Sequence, residues 1–281
     1  MHESTLIALR PLASLKLTLF GIGTLLVAVL LAYFNRQDAA VYIVPVVSLL
    51  ALNLLAAIII NPRIRQNSGL LMFHICLFLI ALLTLLSQLT SMQGRVEVTE
   101  GTAFDAGSVT VVKQGAWHTL DRLQQIDFSQ GAIEVEYGPG LRRGASRSQL
   151  QQGGNSIVVG DNLAFSSHGY RFYTTSNKGF AAIVNWYAKD GSVDRGAIHF
   201  PSYPLYDWKQ HNQWQLPSGE QLAMQLMVDT ALQAEHAWLL HGVDHGQLEI
   251  TLPDASKHRI LPGQHLQLDN GVLQFEAIRM W

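Results

Sequence analysis

Three apolar runs, Leu15 to Phe34, Val41 to Ile60 and Leu70 to Leu89, dominate the first 90 residues and leave the chain few ways to fold there. Each is close to the ~20 residues that a helix rising ~1.5 Å per residue needs to cross ~30 Å of hydrocarbon. The first 90 residues hold only seven charged side chains: Glu3, Arg10, Lys16, Arg36, Asp38, Arg63 and Arg65. The rest of the chain holds 14 basic and 19 acidic ones, so two chemically different halves share one sequence whose net charge is −2. We expect three transmembrane helices in residues 1–90. The first is read as an uncleaved anchor, because its apolar run exceeds the ~7–15 residues of a signal-peptide core and two more spans follow it.

Arg10 precedes the first span and Lys16 stands at its very start, and Arg63 and Arg65 separate the second from the third, against Arg36 alone in the other loop. The positive-inside bias places the N-terminus in the cytoplasm of a bacterial plasma membrane. Residues 91–281 should then be periplasmic. They lack cysteine, since the single one, Cys76, lies in the third span, so a disulfide framework is excluded despite the oxidising compartment.

In that second half, short runs rich in Val, Ile, Tyr, Phe and Trp alternate with Gly, Asn and Asp. Examples are residues 94–101, 106–112, 130–137, 155–161, 179–188, 245–254, 263–270 and 271–278. Period-two patterning with turn punctuation predicts an all-β domain, an antiparallel sandwich or barrel-like fold. WHTLDRLQQI (117–126) carries a weak helical pattern. The stretch 138–154, GPGLRRGASRSQLQQGG with Arg142, Arg143 and Arg147, reads as a loop; Pro139 lacks the N–H that a phosphate-cradling glycine loop would need. The aromatic residues Phe165, Tyr170, Phe172, Tyr173, Phe180, Trp186 and Tyr187 read first as sheet core and second as a groove for a flat ligand or an extended peptide.

The titratable side chain inside the third apolar run is His74, in LLMFHICLFLIALLTLLSQL (70–89). If the helix begins with the apolar run, His74 sits roughly 6 Å below the cytoplasmic edge of the hydrocarbon. Intramembrane ionisable groups usually face a bundle interior, a cavity or a partner. Two readings stand: an imidazole hydrogen-bonded to a neighbouring helix, or a ligand to haem iron or another metal. A six-coordinate haem needs a second axial ligand, and the other two spans offer no His, Cys or Met, so a partner would have to supply it. Cys76 lies about 200° around the helix from His74 and cannot chelate with it. Asn53 and Gln88 read as interhelical hydrogen-bonding groups rather than ligands.

Nine histidines occupy the second half, with His236, His241 and His245 beside Asp244 in HAWLLHGVDH. A metal site there is conceivable, although Gly242 and Gly246 break a helix that would align two of them. No CxxCH, nucleophile elbow, HExxH, P-loop or EF-hand loop is present. Ordinary enzyme signatures are therefore absent, and no nucleic-acid partner is expected.

The order of these pieces resembles the ResB-like family of System II cytochrome c biogenesis proteins. The residues that carry the resemblance are Pro45 to Leu55 (PVVSLLALNLL), FHICLFLIALLTLLSQ followed by MQGRVEVTEG, and HGYRFYTTSNKGF. It covers about two thirds of the chain, and no single motif is specific by itself. Such proteins partner a CcsA-type membrane protein, and together they move haem outward and attach it to the CxxCH cysteines of apocytochrome c. The resemblance implies that His74 is one axial ligand of an intramembrane haem, the other coming from the CcsA-type subunit. The chain departs from the family in having a smaller outer domain, no fourth span after it and no tryptophan-rich haem segment. The expected role is a non-catalytic subunit of the attachment complex. The alternatives are a membrane-anchored β-domain acting as a scaffold without haem, and a sensor or cell-envelope binding module.

Overall fold

The computed structural model describes residues 10–35, 39–175, 177–201, 209–216, 219–228, 235–243 and 245–281. Arg36 and Asp244, which enter the orientation and metal arguments above, lie outside them. The chain divides into two compact units: residues 1–95 with 109–120, and residues 96–108 with 121–281.

The first unit holds four helices among the described residues: α1 (Leu15–Asn35), α2 (Ala39–Ile60), α3 (Pro62–Gln66) and α4 (Ser68–Thr90). Three of them, α1, α2 and α4, are long and apolar enough to cross a membrane. Each starts or ends within two residues of the boundaries expected from hydropathy. The connection from α2 to α4 is set by two asparagines. Asn61 accepts the Arg63 N–H at 3.1 Å as N-cap of α3, with Pro62 at the first helical position, and Asn67 accepts the Leu70 N–H at 3.1 Å as N-cap of α4. Buried Ile64 tucks the short helix in while Arg63 and Arg65 stay exposed.

A two-stranded hairpin completes this unit, β1 (Met92–Arg95) against β2 (Thr110–Gln114). The chain leaving β2 turns back over the end of α4. Gly115 N–H donates to the Ser91 carbonyl at 2.8 Å, Trp117 N–H to Leu89 at 2.9 Å, and His118 Nδ1 to Thr90 at 2.8 Å. These bonds satisfy carbonyls that a helix C-terminus leaves without partners. The approach is so close that a Cβ on Gly115 would lie inside van der Waals contact of the Leu89 carbonyl oxygen. WHTLDRLQQI is therefore a run of turns, not a helix, because its first residues are spent on capping α4.

The second unit is all-β. Its strands are β3 (Ser129–Gly138), β4 (Arg142–Gln152), β5 (Asn155–Gly160), β6 (Phe165–Ser167), β7 (Tyr170–Phe172), β8 (Gly179–Ala188), β9 (Val193–Pro201), β10 (Lys209–Gln215), β11 (Gln221–Val228), β12 (Trp238–Leu240), β13 (Gly246–Thr251), β14 (Lys257–Ile260), β15 (His265–Leu268) and β16 (Gly271–Met280). Among the described residues they form three four-stranded antiparallel sheets, ordered β12-β3-β4-β5, β10-β11-β13-β14 and β15-β16-β8-β9, and a small β6-β7 pair. One apolar cluster joins the inner faces of all three large sheets, with Phe180, Phe200, Leu222, Leu226, Leu248, Leu273 and Phe275 at no more than 1% exposure. The period-two pattern is plain in β11, where Leu222, Met224 and Leu226 point inward. In β16 the inward residues step from Phe275 to Ile278, and a bulge between Phe275 and Ala277 restores the phase. The Asp269–Asn270 turn joins β15 to β16 as expected from sequence, with Leu268 opposite Gly271.

Residues 138–154 are not a loop. Eleven of them form β4, paired on both sides with β3 and β5. The glycines read as loop flexibility make tight turns instead: Gly153 and Gly154, both at positive φ (54° and 81°), close the β4–β5 hairpin in two residues. Ser146, Ser148 and Leu150 alternate inward, a period-two pattern that small polar residues conceal from a hydrophobicity reading.

Candidate functional site

His74 lies on α4, within its second turn. Its Nδ1 is 2.8 Å from the carbonyl oxygen of Leu70, one turn earlier. A carbonyl can only accept, so Nδ1–H is the donor here and Nε2 is the nitrogen that could act as a ligand atom. The ring also meets Phe73 edge to face, with centroids 5.7 Å apart at 81°. Among the described residues no hydrogen-bond partner faces Nε2. The ring is thus anchored at one nitrogen and free to ligate at the other, the arrangement in which a metal-binding histidine donates its second N–H to a carbonyl. None of the residues of α4 is buried within the unit, whereas α2 buries Val47, Ala51, Asn53 and Ala56.

Asn53 is an interhelical hydrogen-bonding group. At 2% exposure it accepts from the Thr18 hydroxyl at 2.7 Å and donates to the carbonyls of Leu12 at 2.5 Å and Ser14 at 3.2 Å, tying α2 to the start of α1. Gln88 accepts from Lys113 Nζ at 2.5 Å and so joins the end of α4 to β2 rather than to another helix. Cys76 is exposed on α4.

In the β unit, His236, His241 and His245 are all exposed, and no group of three or more His, Cys, Asp or Glu among the described residues could hold a metal ion. The aromatic stretch is mostly core. Phe180 and Trp186 fill the main cluster, and Phe165 and Phe172 join Phe104 and Phe128 in a second one with ring centroids 4.9–5.9 Å apart. Tyr173 and Tyr187 remain exposed.

Two constellations in this unit gave no signal in the sequence, because each joins residues far apart in it. In the first, His199 Nδ1 bonds Glu97 at 2.8 Å, its Nε2 bonds the Thr99 hydroxyl at 2.7 Å, and its ring leans on Trp281 at 5.2 Å. The carboxylate–imidazole–hydroxyl order is that of a nucleophilic triad. Thr99, however, is 2% exposed and leaves no room for a substrate carbonyl, so the set pins the segment before β3 against β9.

The second constellation surrounds Arg143. Its Nη2 donates to both Asp161 oxygens (2.9 and 3.2 Å), to Ser146 Oγ (2.7 Å) and to the Thr175 carbonyl (3.3 Å). Asp161 also accepts from the Thr174 hydroxyl at 2.7 Å and the Ser146 N–H at 3.3 Å. Burial alone would raise the Asp161 carboxyl, but the Thr174 bond and the Arg143 charge outweigh it and hold it below the usual carboxylate range. Lys178, 9% exposed, is pulled down to about 8, first by burial and then by the Arg143 charge, with Asp161 opposing. Burial likewise pushes the Tyr137 phenol up, against Arg143.

Compared with known proteins, the chain matches no protein-family model and no curated protein.

Proposed function

We propose that this protein is the ResB-like subunit of a cytochrome c haem-attachment complex, in which α4 packs against a CcsA-type membrane protein and His74 supplies one axial ligand to haem held between them. The observation that carries this reading is the hydrogen bond of His74: Nδ1–H is spent on the Leu70 carbonyl, which leaves Nε2 without a hydrogen-bond partner among the described residues, on a helix of which no residue is fully buried within its unit. The residues present fit one axial position and no more. Bound haem would supply an iron that takes imidazole and the vinyl groups to which CxxCH thiols add. Leu70 holds the ring orientation, Phe73 limits its rotation, and the apolar surface of α4 excludes water. In this reading Arg10, Lys16, Arg63 and Arg65 keep their side of the bundle cytoplasmic, and the β unit stands in the periplasm, where it docks the partner or the apocytochrome.

The test is to copurify the chain with a CcsA-type protein encoded in the same genome and to record the haem absorption spectrum with His74 and with His74→Ala. Loss of the haem band and of cytochrome c yield is expected. Unchanged haem content and yield would overturn the ligand assignment and leave the scaffold reading, for which the His74–Leu70 bond is merely the satisfied donor of an intramembrane histidine.

A further inference from the structure

The β1–β2 hairpin is a two-stranded sheet that joins no other sheet among the described residues. None of its residues is buried: Met92 and Lys113 are half-buried, and the rest of both strands is exposed. A two-stranded hairpin that buries no apolar face is marginal at best in water. What this one exposes is partly apolar. Val111 is 38% and Val112 58% exposed, and Trp117, just beyond the end of β2, is 65% exposed. Val112 is the extra residue of a bulge, since Lys113 opposes Gln93 and Val111 opposes Gly94, so no residue of β1 stands across from it. Trp186, Trp214, Trp238 and Trp281, by contrast, lie in or against the apolar clusters of the β unit.

The height of this segment is fixed by its bonds to α4. The Gly115 and Trp117 N–H groups and His118 Nδ1 donate to the carbonyls of Ser91, Leu89 and Thr90, and Lys113 donates to Gln88, so all four bonds go to residues 88–91. The third apolar run ends at Leu89. With α4 across a bilayer, that residue marks the level at which hydrocarbon gives way to headgroups. Tryptophan is enriched at this level, because its ring gains from the acyl chains while its N–H stays within reach of the wet headgroup region. Residues 109–120 include no acidic side chain that phosphate headgroups would repel. The segment also adjoins a helix whose own apolar side chains, Leu83 and Leu86 among them, are exposed. The bilayer is the surface that α4 already brings to that height.

We propose that Val111, Val112 and Trp117 insert into the headgroup–acyl boundary of the membrane that α4 crosses, on the side where α4 ends, so that the hairpin is a lipid-bound collar. The proposal rests on α4 spanning a bilayer and on nothing about haem or a CcsA-type partner. Because the segment is bonded to the helix end, the depth at which Trp117 settles is also the depth at which α4 is held.

The test places the full chain in phosphatidylcholine vesicles whose acyl chains are brominated either near the headgroup or near the chain end, bromine being a short-range quencher of indole emission. The native spectrum minus that of Trp117→Phe isolates Trp117, and the substitution leaves the backbone bond to Leu89 in place. The isolated emission is expected to be lost with bromine near the headgroup, lost less with bromine near the chain end, and kept with aqueous iodide. Any other pattern overturns the proposal: loss to iodide alone puts the ring in water, and loss to none of the three quenchers puts it against protein. A second variant tests the hairpin itself. Val112→Asp should lose most of the quenching by headgroup-side bromine and gain sensitivity to iodide, because a carboxylate resists leaving water and is repelled by phosphate. Unchanged quenching of Trp117 in Val112→Asp overturns the proposal as well. Should Val112→Asp fail to enter vesicles, the decision rests on the Trp117 pattern alone.

Discussion

At the scale of single residues, one hydrogen bond sets what His74 can offer, because a carbonyl acceptor at Nδ1 leaves Nε2 as the nitrogen that could act as a ligand atom. If that nitrogen ligates haem, His74→Gly should lose the haem band of the copurified complex, and added imidazole should restore part of it by filling the vacated space. An unrestored spectrum in a well-folded variant would argue for a structural histidine. Lys178 offers a separate test through proton linkage. Its native value of about 8 lies below the ordinary 10.5, so the folded chain gives up this proton before the unfolded one does. The native state therefore bears the full penalty of the buried ammonium below pH 8, and the penalty is relieved as pH rises from 8 toward 10.5. Lys178→Met should raise the unfolding midpoint at pH 7, with a gain that shrinks by pH 10. A gain independent of pH would show that the benefit comes from packing. Asn53→Val should cost about 1 kcal/mol of helix association by leaving the Thr18 hydroxyl and two carbonyls without their partner, measurable by unfolding in detergent titrated with a denaturing one.

Among the elements, the short connections carry most of the specification. The chain after β2 returns its backbone N–H groups to the end of α4, and Gly115 is the residue that permits the approach. Gly115→Val should displace this cap and expose the α4 carbonyls, which faster amide exchange at Trp117 would report. At the β4–β5 turn, Gly154→Val forces a branched residue to φ 81° and should cost about 1–2 kcal/mol of unfolding free energy in the β unit. The same turn explains why GPGLRRGASRSQLQQGG looks like a loop: its inward positions are filled by serine and one leucine, so the apolar alternation that marks β11 is muted in β4.

For the whole molecule, the helical unit and the β unit solve different solvation problems. The three long helices carry the apolar surface that a lipid environment requires, while the sheets bury one side of each strand in a shared apolar cluster. Truncation inside that cluster should be costly: Leu226→Ala is expected to lose about 2–5 kcal/mol, read from denaturant unfolding followed by tryptophan fluorescence. The sequence determined what depends on local pattern. Runs of ~20 apolar residues fix the three spans, asparagine caps and alternation fix most helix and strand boundaries, and an isolated histidine in oil stands out by composition alone. Only the tertiary structure decided what depends on which residues meet. The partner of His74 Nδ1, the Glu97–His199–Thr99 set and the cluster around Arg143 are products of helix geometry and strand register. The latter two join residues up to 102 positions apart, and no local periodicity encodes a pairing between strands that distant in the chain.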